Sequence, residues 1–586
     1  MKFSVLALDY DGTIAKDGAL DPAAREAIGE LRAKGIVVLI VTGRILEELR
    51  RLTGDLHFVD GIVAENGAVI SFPASGYLAV VAKPAPQNFF EELRRQGVPF
   101  DAGRVIVDTD AGEAPRILEI LRRLELPLVM VFNRGRLMVL PQTISKATGL
   151  REALKILRLS PHNAVAIGDA ENDHELLQAC EVGIAVDWGS EALKSSADYV
   201  LPGKGPAAVA GYIRGLGNQR RIPRQLKTRR HLLLGHADDG QPLTLAVRGR
   251  NVLIAGDSKS GKSWIAGLLC EQLILYGYCL CIIDPEGDYT SLEALPGVIV
   301  FGGADPLPRP RDLLRALRQP EGSIVIDLSR TPREEKLDYV RTLLPSLAKL
   351  RRLTGVPHRI IVDEAHYFLH DASVPDLLDM EPNGYTLVSY RPSELRGDLL
   401  AASEAIVVTR ESDPEDVRAL WALCPSCEGA NERTWEELFG SLVVGEAVIL
   451  PITEEAAGQL RKIRLAPRLT PHVRHFAKYI DIPVTAGRAF VFWSNGSPSE
   501  RRAQTLREFV SIIEQAKASM LDGHLHRHDF SHWIAEVFGD YPLAKTMRSI
   551  EDDHRAGKLA NVVARVSEAV RSRYEFVDPY AKYGDA

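Results

Sequence analysis

The chain has 586 residues, of which 46% are hydrophobic and 25% charged, and its formal net charge at pH 7 is −7. This length predicts about two to four domains with separate cores. The mixed charge excludes a disordered acidic protein and a wholly basic nucleic-acid-binding protein, so any contact with nucleic acid must be local.

The cysteines and the first residues indicate the cellular compartment. The six cysteines are scattered along the chain, which argues against a disulfide framework and favours a reducing environment. Residues 1–10 lack the basic start and cleavage site of a signal peptide and predict a buried strand. The longest apolar stretch, 267–283, is interrupted by Glu271 and Gln272 and is too short to cross a membrane. We therefore expect a cytoplasmic protein without membrane insertion.

Residues 1–217 alternate short apolar runs with helical patterns. Apolar runs stand at 5–8, 37–41 and 164–167, and a helical pattern stands at 22–34. This alternation predicts an α/β domain in which helices cover a parallel sheet. A second α/β stretch, at about 82–141, is predicted to form a small cap over the edge of that sheet.

Two acidic residues, Asp9 and Asp11, directly follow the first predicted strand. Open α/β sheets bind ligands at the carboxyl ends of their strands. One carboxylate of such a pair can attack phosphorus, while the other protonates the leaving alcohol and later activates water. Gly12 allows the tight turn that this arrangement needs. Taken alone, the pair fits a polar loop without catalytic function equally well.

Three further motifs at predicted strand ends favour phosphoryl transfer. Thr42, in the sequence VTGR, can offer its hydroxyl to phosphate oxygens at the start of a helix. Lys146 opens another helix and offers a cation that neutralises developing charge. Residues 168–173, GDAEND, supply oxygen ligands suited to Mg²⁺.

In order and spacing, these four motifs resemble the haloacid dehalogenase superfamily, and in particular its Cof-like branch of sugar-phosphate and phosphoglycolate phosphatases. The resemblance implies a Mg²⁺-dependent phosphatase for a small phosphate ester, with a Rossmann-like sheet and a cap. It implies that Asp9 is the nucleophile that forms an aspartyl-phosphate and that Asp11 is the general acid/base. Thr42 and Lys146 would hold the phosphoryl group. The implied metal site consists of the Asp9 carboxylate, the Asp11 carbonyl and Asp169, with Asp173 in support.

The same resemblance implies residues that contact the substrate. Asn172 would touch the phosphate or the catalytic lysine, and Gly43 belongs to the phosphate-binding stretch. Asn66, in the sequence ENGA, would lie near the substrate entrance, although a turn after a strand explains it equally well. Recognition of a substrate anion by Arg44 and Arg134 is a hypothesis whose alternative is simple solvation.

The composition changes after residue 217. Residues 218–230, NQRRIPRQLKTRR, lack an apolar period and predict a basic linker, with a nucleic-acid or partner site as the alternative. A second βα alternation at about 231–470 predicts another parallel α/β domain. Beyond about residue 485 the pattern is mostly helical, with amphipathic segments at 500–520 and 559–574, and predicts a helical domain at 485–586.

The sequence GDSKSGKS, between a predicted strand and a predicted helix, fits the pattern G-x-x-x-x-G-K-[ST] of a P-loop. Its backbone amides can cradle the α- and β-phosphates of ATP, Lys262 can reach the β- and γ-phosphates, and Ser263 can ligate Mg²⁺. The residues that we expect to bind ATP are Gly256, Asp257, Ser258, Lys259, Ser260, Gly261, Lys262 and Ser263.

An apolar run that ends in Asp363 and Glu364 is the expected partner of this P-loop. Asp363 would face the metal and Glu364 the attacking water. With the sequences IDPEGDY at 283–289 and SYRPSE at 389–394, this part resembles the HerA/FtsK branch of P-loop ATPases. The resemblance implies a ring-forming, often hexameric, motor that moves DNA through a pore. Two features depart from that family: Tyr390 replaces a typical glutamine, and no β-barrel is expected before the P-loop.

Three functional hypotheses remain open. The first is a bifunctional enzyme that hydrolyses a small phosphate ester at one site and ATP at the other. The second is a DNA-engaging motor that carries the phosphatase fold as an effector. The third is a nucleotide-binding regulatory module with little turnover, which the tyrosine at the sensor position suggests. The expected partners are a phosphate ester, ATP and further copies of the chain in a ring, with DNA under the second hypothesis.

Overall fold

The structure, a computed structural model, describes residues 2–133, 135–219, 222, 228–248, 250–370, 377–380, 383–424, 432–450, 460–471, 484, 486–494, 497–538, 540–559 and 561–573. Most of the predicted linker at 218–230, as well as Arg134, lies outside these residues. Within the described part of the chain, no helix has both the length and the apolar character to cross a bilayer.

The first 217 residues contain an eight-stranded sheet with helices on both faces. Its strands are parallel except Val69–Phe72 and Tyr77–Val80, which form an antiparallel edge. In spatial order the strands are Tyr199–Leu201, Val182–Val186, Ala164–Gly168, Val5–Leu8, Val37–Val41, Gly61–Ala64, Val69–Phe72 and Tyr77–Val80. The α-helices are Pro22–Ala33, Leu46–Thr53, Lys146–Leu157, His174–Ala179, Glu191–Ser196 and Pro206–Gly217. The predicted parallel α/β architecture is confirmed.

Local sequence explains how these elements form. Every residue of Val5–Leu8 is buried because helices cover both faces of the sheet. The helix Pro22–Ala33 begins where Asp21 accepts hydrogen bonds from the next amides, and proline at the first helical position suits that start. Its buried residues recur with helical spacing, so one face packs on the sheet: Ala24, Ala27, Ile28 and Leu31.

The cap is a four-stranded antiparallel sheet with two helices against it. A small apolar core of its own, which includes Phe89 and Ile117, joins helices to sheet. The strands in spatial order are Leu128–Asn133, Arg136–Pro141, Val107–Asp110 and Asp101–Ala102, and the helices are Gln87–Arg95 and Ala114–Arg123. Both the core and the sheet match the predicted small α/β cap.

The second large unit is built on an eleven-stranded sheet. Its strands from Ala405–Val408 through Val298–Gly302 run parallel, and those at the other edge are antiparallel. The spatial order is Pro242–Ala246, His231–Ala237, Arg461–Leu465, Glu446–Leu450, Ala405–Val408, Val252–Ala255, Tyr385–Ser389, Arg359–Val362, Leu280–Asp284, Ser323–Asp327 and Val298–Gly302. The α-helices are Lys262–Leu275, Pro310–Ala316, Arg333–Thr354, His366–Leu369, Gly397–Ala401, Pro414–Trp421 and Glu432–Ser441.

The chain before the P-loop forms a hairpin in this sheet. His231–Ala237 pairs with Pro242–Ala246 on one side and with Arg461–Leu465 on the other. The segment therefore widens the sheet, and in the described residues it forms no separate barrel.

The carboxyl-terminal unit is helical but begins with a hairpin, Phe490–Ser494 and Ser497–Ala503. The predicted amphipathic segment at 500–520 is therefore wrong at its start. A capping box in which Thr505 and Glu508 exchange hydrogen bonds sets the first helical residue at Leu506. The helices are Leu506–Gln515, Ala518–Arg527, Asp529–Trp533, Ile534–Phe538 with π geometry, Tyr541–Arg555 and Val562–Arg573.

A buried polar contact joins the phosphatase-like unit to the sheet that follows it. The His162 ring stacks on the Tyr278 ring with centroids 3.7 Å apart, and its Nδ1 lies 3.1 Å from a Glu181 carboxylate oxygen. The Tyr278 hydroxyl donates to the same oxygen at 2.8 Å, and Arg230 lies 3.3 Å from it. Burial alone would raise the pKa of Glu181, but these partners, His162 foremost, lower it. The carboxylate is thus held ionised between the two units.

Candidate active sites

Parallel pairing brings the first set of predicted residues to one edge of the sheet. Val5–Leu8 lies between Ala164–Gly168 and Val37–Val41, with Leu8 opposite both Ile40 and Ile167. Each of these strands ends in its polar motif, so their side chains emerge side by side. The amide of Asp9 donates to the Ile167 carbonyl at 2.9 Å, which fixes the nucleophile candidate at the strand end.

Lys146 links the two acidic motifs. A capping box between Ser145 and Thr148 starts the helix at Lys146. Its ammonium donates to Asp9 Oδ1 and to Asp173 Oδ1, each at 2.6 Å, and the side chain is 1% exposed. Burial alone would lower the pKa of Lys146, but the two carboxylates outweigh burial and raise it. The lysine therefore stays protonated at the centre of the site.

Three buried carboxylates form a cluster in which one oxygen each of Asp9, Asp169 and Asp173 lie within 4.8 Å of one another. Asp173 Oδ2 accepts hydrogen bonds from the amides of Asp169 and Ala170, at 3.0 and 3.1 Å. Burial and then the charge of Asp173 raise the pKa of Asp9 well above its ordinary value. Buried carboxylate oxygens with excess negative charge are a donor set that fits Mg²⁺. Asp173 already binds Lys146 and two amides, so its position within the cluster is fixed.

Asp11 faces the cavity and is bound by Arg44. The guanidinium donates through Nε to Asp11 Oδ2 at 2.5 Å and through Nη2 to Oδ1 at 2.7 Å. The same arginine also pairs with Glu48. Hydrogen bonding to Asp11 raises the pKa of Arg44, so the guanidinium stays charged beside the carboxyl group. Thr42 lies alongside, with its hydroxyl accepting from the Arg44 amide at 3.2 Å.

A cavity of about 1310 Å³ lies between the core domain and the cap, over the acidic cluster. The cap approaches the core closely at Gly43, because a Cβ at this position would lie 3.0 Å from Met138 Sδ. Core residues that line it include Asp9, Asp11, Thr42, Gly43, Arg44 and Asp169, and cap residues include Asp101, Asp108, Asn133, Arg136 and Met138. The site is thus shared by both parts of the amino-terminal unit.

Asn172 and Asn66 stand outside the lining of this cavity. The Asn172 side chain lies close by, with Nδ2 3.9 Å from where a Cβ on Gly43 would be. Its amide nitrogen and oxygen find no hydrogen-bond partner among the residues that the structure describes. Asn66 is buried in a left-handed conformation with φ of 53°, and its amide donates to the Thr42 carbonyl at 3.0 Å. It therefore supports the turn at Thr42 from behind and does not lie at the cavity entrance, where the resemblance placed it.

Glu65, beside Asn66, fastens the cap to the core. Its buried carboxylate accepts from the amides of Arg104, Val105 and Ile106 at 2.9, 2.8 and 3.2 Å. These amides belong to the cap stretch before Val107–Asp110, so the ENGA sequence has a second role at the junction of the two parts.

Replacing Glu65 by alanine is expected to lower the free energy of unfolding by about 2–4 kcal/mol, because three buried amides lose a charged acceptor. Urea denaturation of the full chain measures the change. The matched control is Glu47→Ala, which removes an exposed ion pair with Arg104 and should cost less than about 1 kcal/mol. Equal losses for the two variants would contradict the role of Glu65 as a fastener.

Several side chains at the cavity escaped the sequence analysis. The Trp188 indole donates to the Gly12 carbonyl at 2.7 Å and holds the turn after the nucleophile candidate. Lys204 lines the cavity just before the helix Pro206–Gly217. Its place before a predicted helix is the sequence feature that could have identified it as a cavity residue. Arg136 of the cap pairs with Asp108 at 2.5 Å. For the tryptophan and the cap arginine, no local pattern pointed to the site.

The P-loop lies between Val252–Ala255 and the helix Lys262–Leu275. Gly256 has φ of 144°, and a Cβ there would lie 2.0 Å from Thr409 Oγ1, so only glycine fits. The Lys262 ammonium donates to the Asp257 carbonyl at 2.8 Å, and the Ser260 hydroxyl donates to the same oxygen at 2.7 Å. The loop is therefore closed on itself around its lysine.

The predicted partner of the P-loop follows a nearby strand. Arg359–Val362 is separated from Val252–Ala255 only by Tyr385–Ser389, so Asp363 and Glu364 emerge at the same sheet edge as the P-loop. Both acids are buried, and Asp363 Oδ1 accepts from the Glu364 amide at 3.0 Å. Ser263 is half-buried in the first turn of the helix after the loop.

Tyr390 occupies the place between these motifs. Its ring centroid lies 5.8 Å from Lys262 Nζ and 4.4 Å from the His366 ring. Burial raises the pKa of its hydroxyl, so the tyrosine is neutral at ordinary pH. A neutral hydroxyl group therefore stands near the P-loop lysine, at the position where the HerA/FtsK resemblance implies a glutamine.

The carboxyl-terminal unit contacts the P-loop directly. The Asp257 carboxylate accepts from the Ser412 hydroxyl at 2.9 Å and lies 3.3 Å from the Arg488 guanidinium. The Lys259 ammonium lies 5.9 Å from the centroid of the Phe538 ring. These contacts bring residues of the helical unit within reach of the predicted nucleotide site.

Two family models match the chain. The model described as haloacid dehalogenase-like hydrolase matches residues 6–110 and 83–213. The model described as the central domain of helicase HerA matches residues 234–342. Both resemblances that the motifs indicated are therefore confirmed. The HerA match includes the P-loop and residues 283–289 and ends before Asp363.

Named relatives match the amino-terminal unit. A phosphoglycolate phosphatase of Methanopyrus kandleri is 30% identical over 229 residues, which are 36% of this chain and 97% of that protein. A phosphoglycolate phosphatase of Methanosarcina acetivorans is 28% identical over 212 residues, which are 34% of this chain and 90% of that protein. The region that these relatives match is about a third of this chain.

Solved structures also match this unit. A haloacid dehalogenase-like hydrolase from Bacteroides thetaiotaomicron is 21% identical, with 37% of this chain and 100% of that chain covered and a TM-score of 0.32. A haloacid dehalogenase-like hydrolase from B. subtilis is 17% identical, with 36% and 100% covered and a TM-score of 0.32.

Proposed function

Because the chain belongs to the haloacid dehalogenase-like hydrolases through residues 6–213 and carries a HerA-like central domain after them, we propose that it is a Mg²⁺-dependent phosphatase for a small phosphate ester that also binds and hydrolyses ATP. The observation that carries the first activity is the ammonium of Lys146 between Asp9 and Asp173 at the floor of the cavity. The first of the three hypotheses is thus the one we adopt.

In the proposed reaction the Asp9 carboxylate attacks the phosphorus of the ester. A bond forms between phosphorus and Asp9, and the bond to the leaving alcohol breaks while Asp11 gives the alcohol a proton. Water then attacks the aspartyl-phosphate and gives a proton to Asp11. The bond between phosphorus and Asp9 breaks, and inorganic phosphate leaves with both carboxyl groups restored.

Positioned charges and hydrogen bonds support these steps. Lys146 balances the charge that develops on the phosphoryl oxygens, and the Thr42 hydroxyl and nearby amides orient them. Asp11 must leave Arg44 to exchange protons with the substrate, because both of its oxygens are bound by that side chain. Asp9, Asp169 and the Asp11 carbonyl would hold Mg²⁺, which supplies charge neutralisation for the phosphoryl group when bound.

The cavity favours an anionic ester of the phosphoglycolate type. The matched relatives are phosphoglycolate phosphatases, whose substrate carries a carboxylate beside the phosphate. Four cationic side chains line the cavity in the core and the cap: Lys16, Arg44, Arg136 and Lys204. A second anion on the substrate would find a partner among them.

Removal of divalent cations is expected to abolish phosphate release from a panel of small phosphate esters, and added Mg²⁺ should restore it. The reason is that three buried carboxylates with one lysine leave excess negative charge at the point of attack. Release of inorganic phosphate from phosphoglycolate, sugar phosphates and a neutral alkyl phosphate is the measurement. Full phosphate release in the presence of a chelator would contradict the Mg²⁺ dependence. If no ester were cleaved with Mg²⁺ present, the phosphatase proposal would be wrong.

For the second activity, the P-loop with Asp363 and Glu364 at the same sheet edge supports ATP hydrolysis. Lys262 would bind the β- and γ-phosphates after leaving the Asp257 carbonyl, and Ser263 and Asp363 would hold Mg²⁺. Glu364 would orient the attacking water, and Tyr390 would stand in for the usual sensor.

A second candidate function is a DNA-engaging motor in a ring of several copies, which the match to the HerA central domain favours. DNA stimulation of ATP turnover and the mass of the particle in solution test it. Turnover that is indifferent to DNA, in a single-copy particle, would leave the bifunctional enzyme alone.

A further inference from the structure

A second cavity, of about 250 Å³, lies beside the P-loop between the ATPase-like unit and the carboxyl-terminal unit. Asp257 and Ser258 of the P-loop form one wall. The remaining lining comes from three segments: Tyr390; Glu411, Ser412, Asp413, Pro414 and Asp416; and Val484, Gly487, Arg488, Val537 and Phe538. The helical unit, to which no role has been assigned above, therefore completes a cavity next to the expected phosphate site.

The walls of this cavity suit a flat, partly apolar group. Phe538, which is 2% exposed, and Tyr390 contribute aromatic rings, and Val484 and Val537 contribute aliphatic surface. Trp533 holds the Phe538 ring edge to face, with centroids 4.8 Å apart. Aromatic rings fixed in this way bind nucleobases by stacking, at little cost in conformational entropy.

The Arg488 segment is held in place from both sides. Its guanidinium donates to the Ser412 hydroxyl at 3.0 Å and lies 3.3 Å from Asp257, and its carbonyl accepts from the Trp533 indole at 2.8 Å. The same tryptophan therefore fixes both the ring and the arginine at the rim. The cavity is preformed, as small-molecule sites usually are.

We propose that this cavity receives the nucleobase of the nucleotide whose phosphates bind the P-loop, with Phe538 of the helical unit as its stacking partner. The inference rests on the proposed ATP binding at the P-loop. It assigns a role to the carboxyl-terminal unit, which becomes part of the nucleotide site. A base in the cavity would lie beside Asp257 and Ser258, at the start of the loop that takes the phosphates.

Two buried acids give the cavity a polar edge. Glu411 is 1% exposed, and one of its oxygens accepts from the amides of Ser412 and Asp413 at 3.0 and 3.1 Å. Burial, and then the charge of Asp257, raise the pKa of Glu411 to about 9. Asp416 is also buried, and burial raises its pKa to about 6. The carboxyl oxygens of the pair are polar atoms that can complement the ring nitrogens and amino group of a base.

The test compares binding of ATP with binding of inorganic tripolyphosphate, each with Mg²⁺, by calorimetry on the full chain. Tripolyphosphate reports the P-loop alone, and the difference between the two affinities reports the base. We expect the native chain to prefer ATP. Phe538→Ala should weaken ATP binding about tenfold and leave tripolyphosphate binding unchanged. Trp493→Ala, an exposed ring of the same unit, is the matched control and should change neither.

Glu411→Ala tests the cavity from the ATPase-like side, where folding of the helical unit is not at issue. It should lower the preference for ATP, and Glu411→Gln, which keeps a donor at that position, should restore most of it. Equal affinity of the native chain for ATP and tripolyphosphate, or variants that weaken both ligands alike, would overturn the proposal. Binding of neither ligand by the native chain would instead overturn the proposed ATP binding, and the cavity proposal with it.

Discussion

Replacing Asp9 by asparagine is expected to lower kcat for ester hydrolysis by about 10⁴-fold or more, while ATP turnover stays at the native level. The amide of asparagine has the shape of the carboxylate but cannot form the acyl-phosphate bond to phosphorus. The buried position of Asp9 and its bond to Lys146 make structural rescue by a neighbouring carboxylate implausible, because Asp173 is tied to the same lysine and to two amides. Phosphate release from the best ester, followed in parallel with ATP turnover, measures the effect.

The matched control for this variant is Asp55→Asn, which makes the same chemical change at an exposed carboxylate that does not line the cavity. It should leave both activities unchanged. Ester hydrolysis that survives in Asp9→Asn would show that another group performs the attack, and the aspartyl-phosphate mechanism would then be wrong. Loss of both activities would mean that the substitution acts through the fold.

Replacing Lys262 by alanine is expected to lower ATP turnover by about 10²-fold or more and to leave ester hydrolysis intact. The Lys262 ammonium is buried among the predicted phosphate-binding groups and is held by a backbone carbonyl, which it can exchange for phosphate oxygens. Alanine removes that charge and adds no bulk. Turnover of ATP with Mg²⁺, measured with the native chain alongside, gives the magnitude.

Lys349→Ala, on the exposed face of the helix Arg333–Thr354, is the matched control and should behave as the native chain. The two site variants together separate the hypotheses. Loss of one activity in each establishes two independent catalytic sites. Native protein that binds ATP without turning it over, with binding lost in Lys262→Ala, would favour the regulatory module.

The parts of the fold that the sequence predicts well are those with a local pattern. Buried strands such as Val5–Leu8 show as apolar runs, and the motifs that follow them end at the same edge because the strands are parallel. The contact between Lys146 and Asp9 spans 137 residues, yet it is predictable because both motifs are read from the family resemblance. The bounds of the domains and the roles of the site residues stay predictions.

The parts that the sequence does not predict depend on distant contacts. Glu65 binds amides about forty residues away, and nothing near it in the sequence distinguishes it from a turn residue. The strand Ser497–Ala503 carries charged residues that suit a helix as well as a strand. Its pairing with Phe490–Ser494 determines that this segment is a strand. Phe538 gives a hydrophobic signal whether it packs in a core or lines a cavity.

The buried contact of His162 and Glu181 with Tyr278 bears on how this chain can change over generations. If a gene were split between the two units, the amino-terminal product would keep an ionised carboxylate that has lost its hydroxyl partner, and the other product would expose a tyrosine shaped to lie against a histidine ring. If either unit were replaced by the corresponding unit of a distant relative, the surfaces that meet at His162, Glu181 and Tyr278 would no longer match. In this chain, a substitution at one side of the seam is therefore expected to require a matching change at the other.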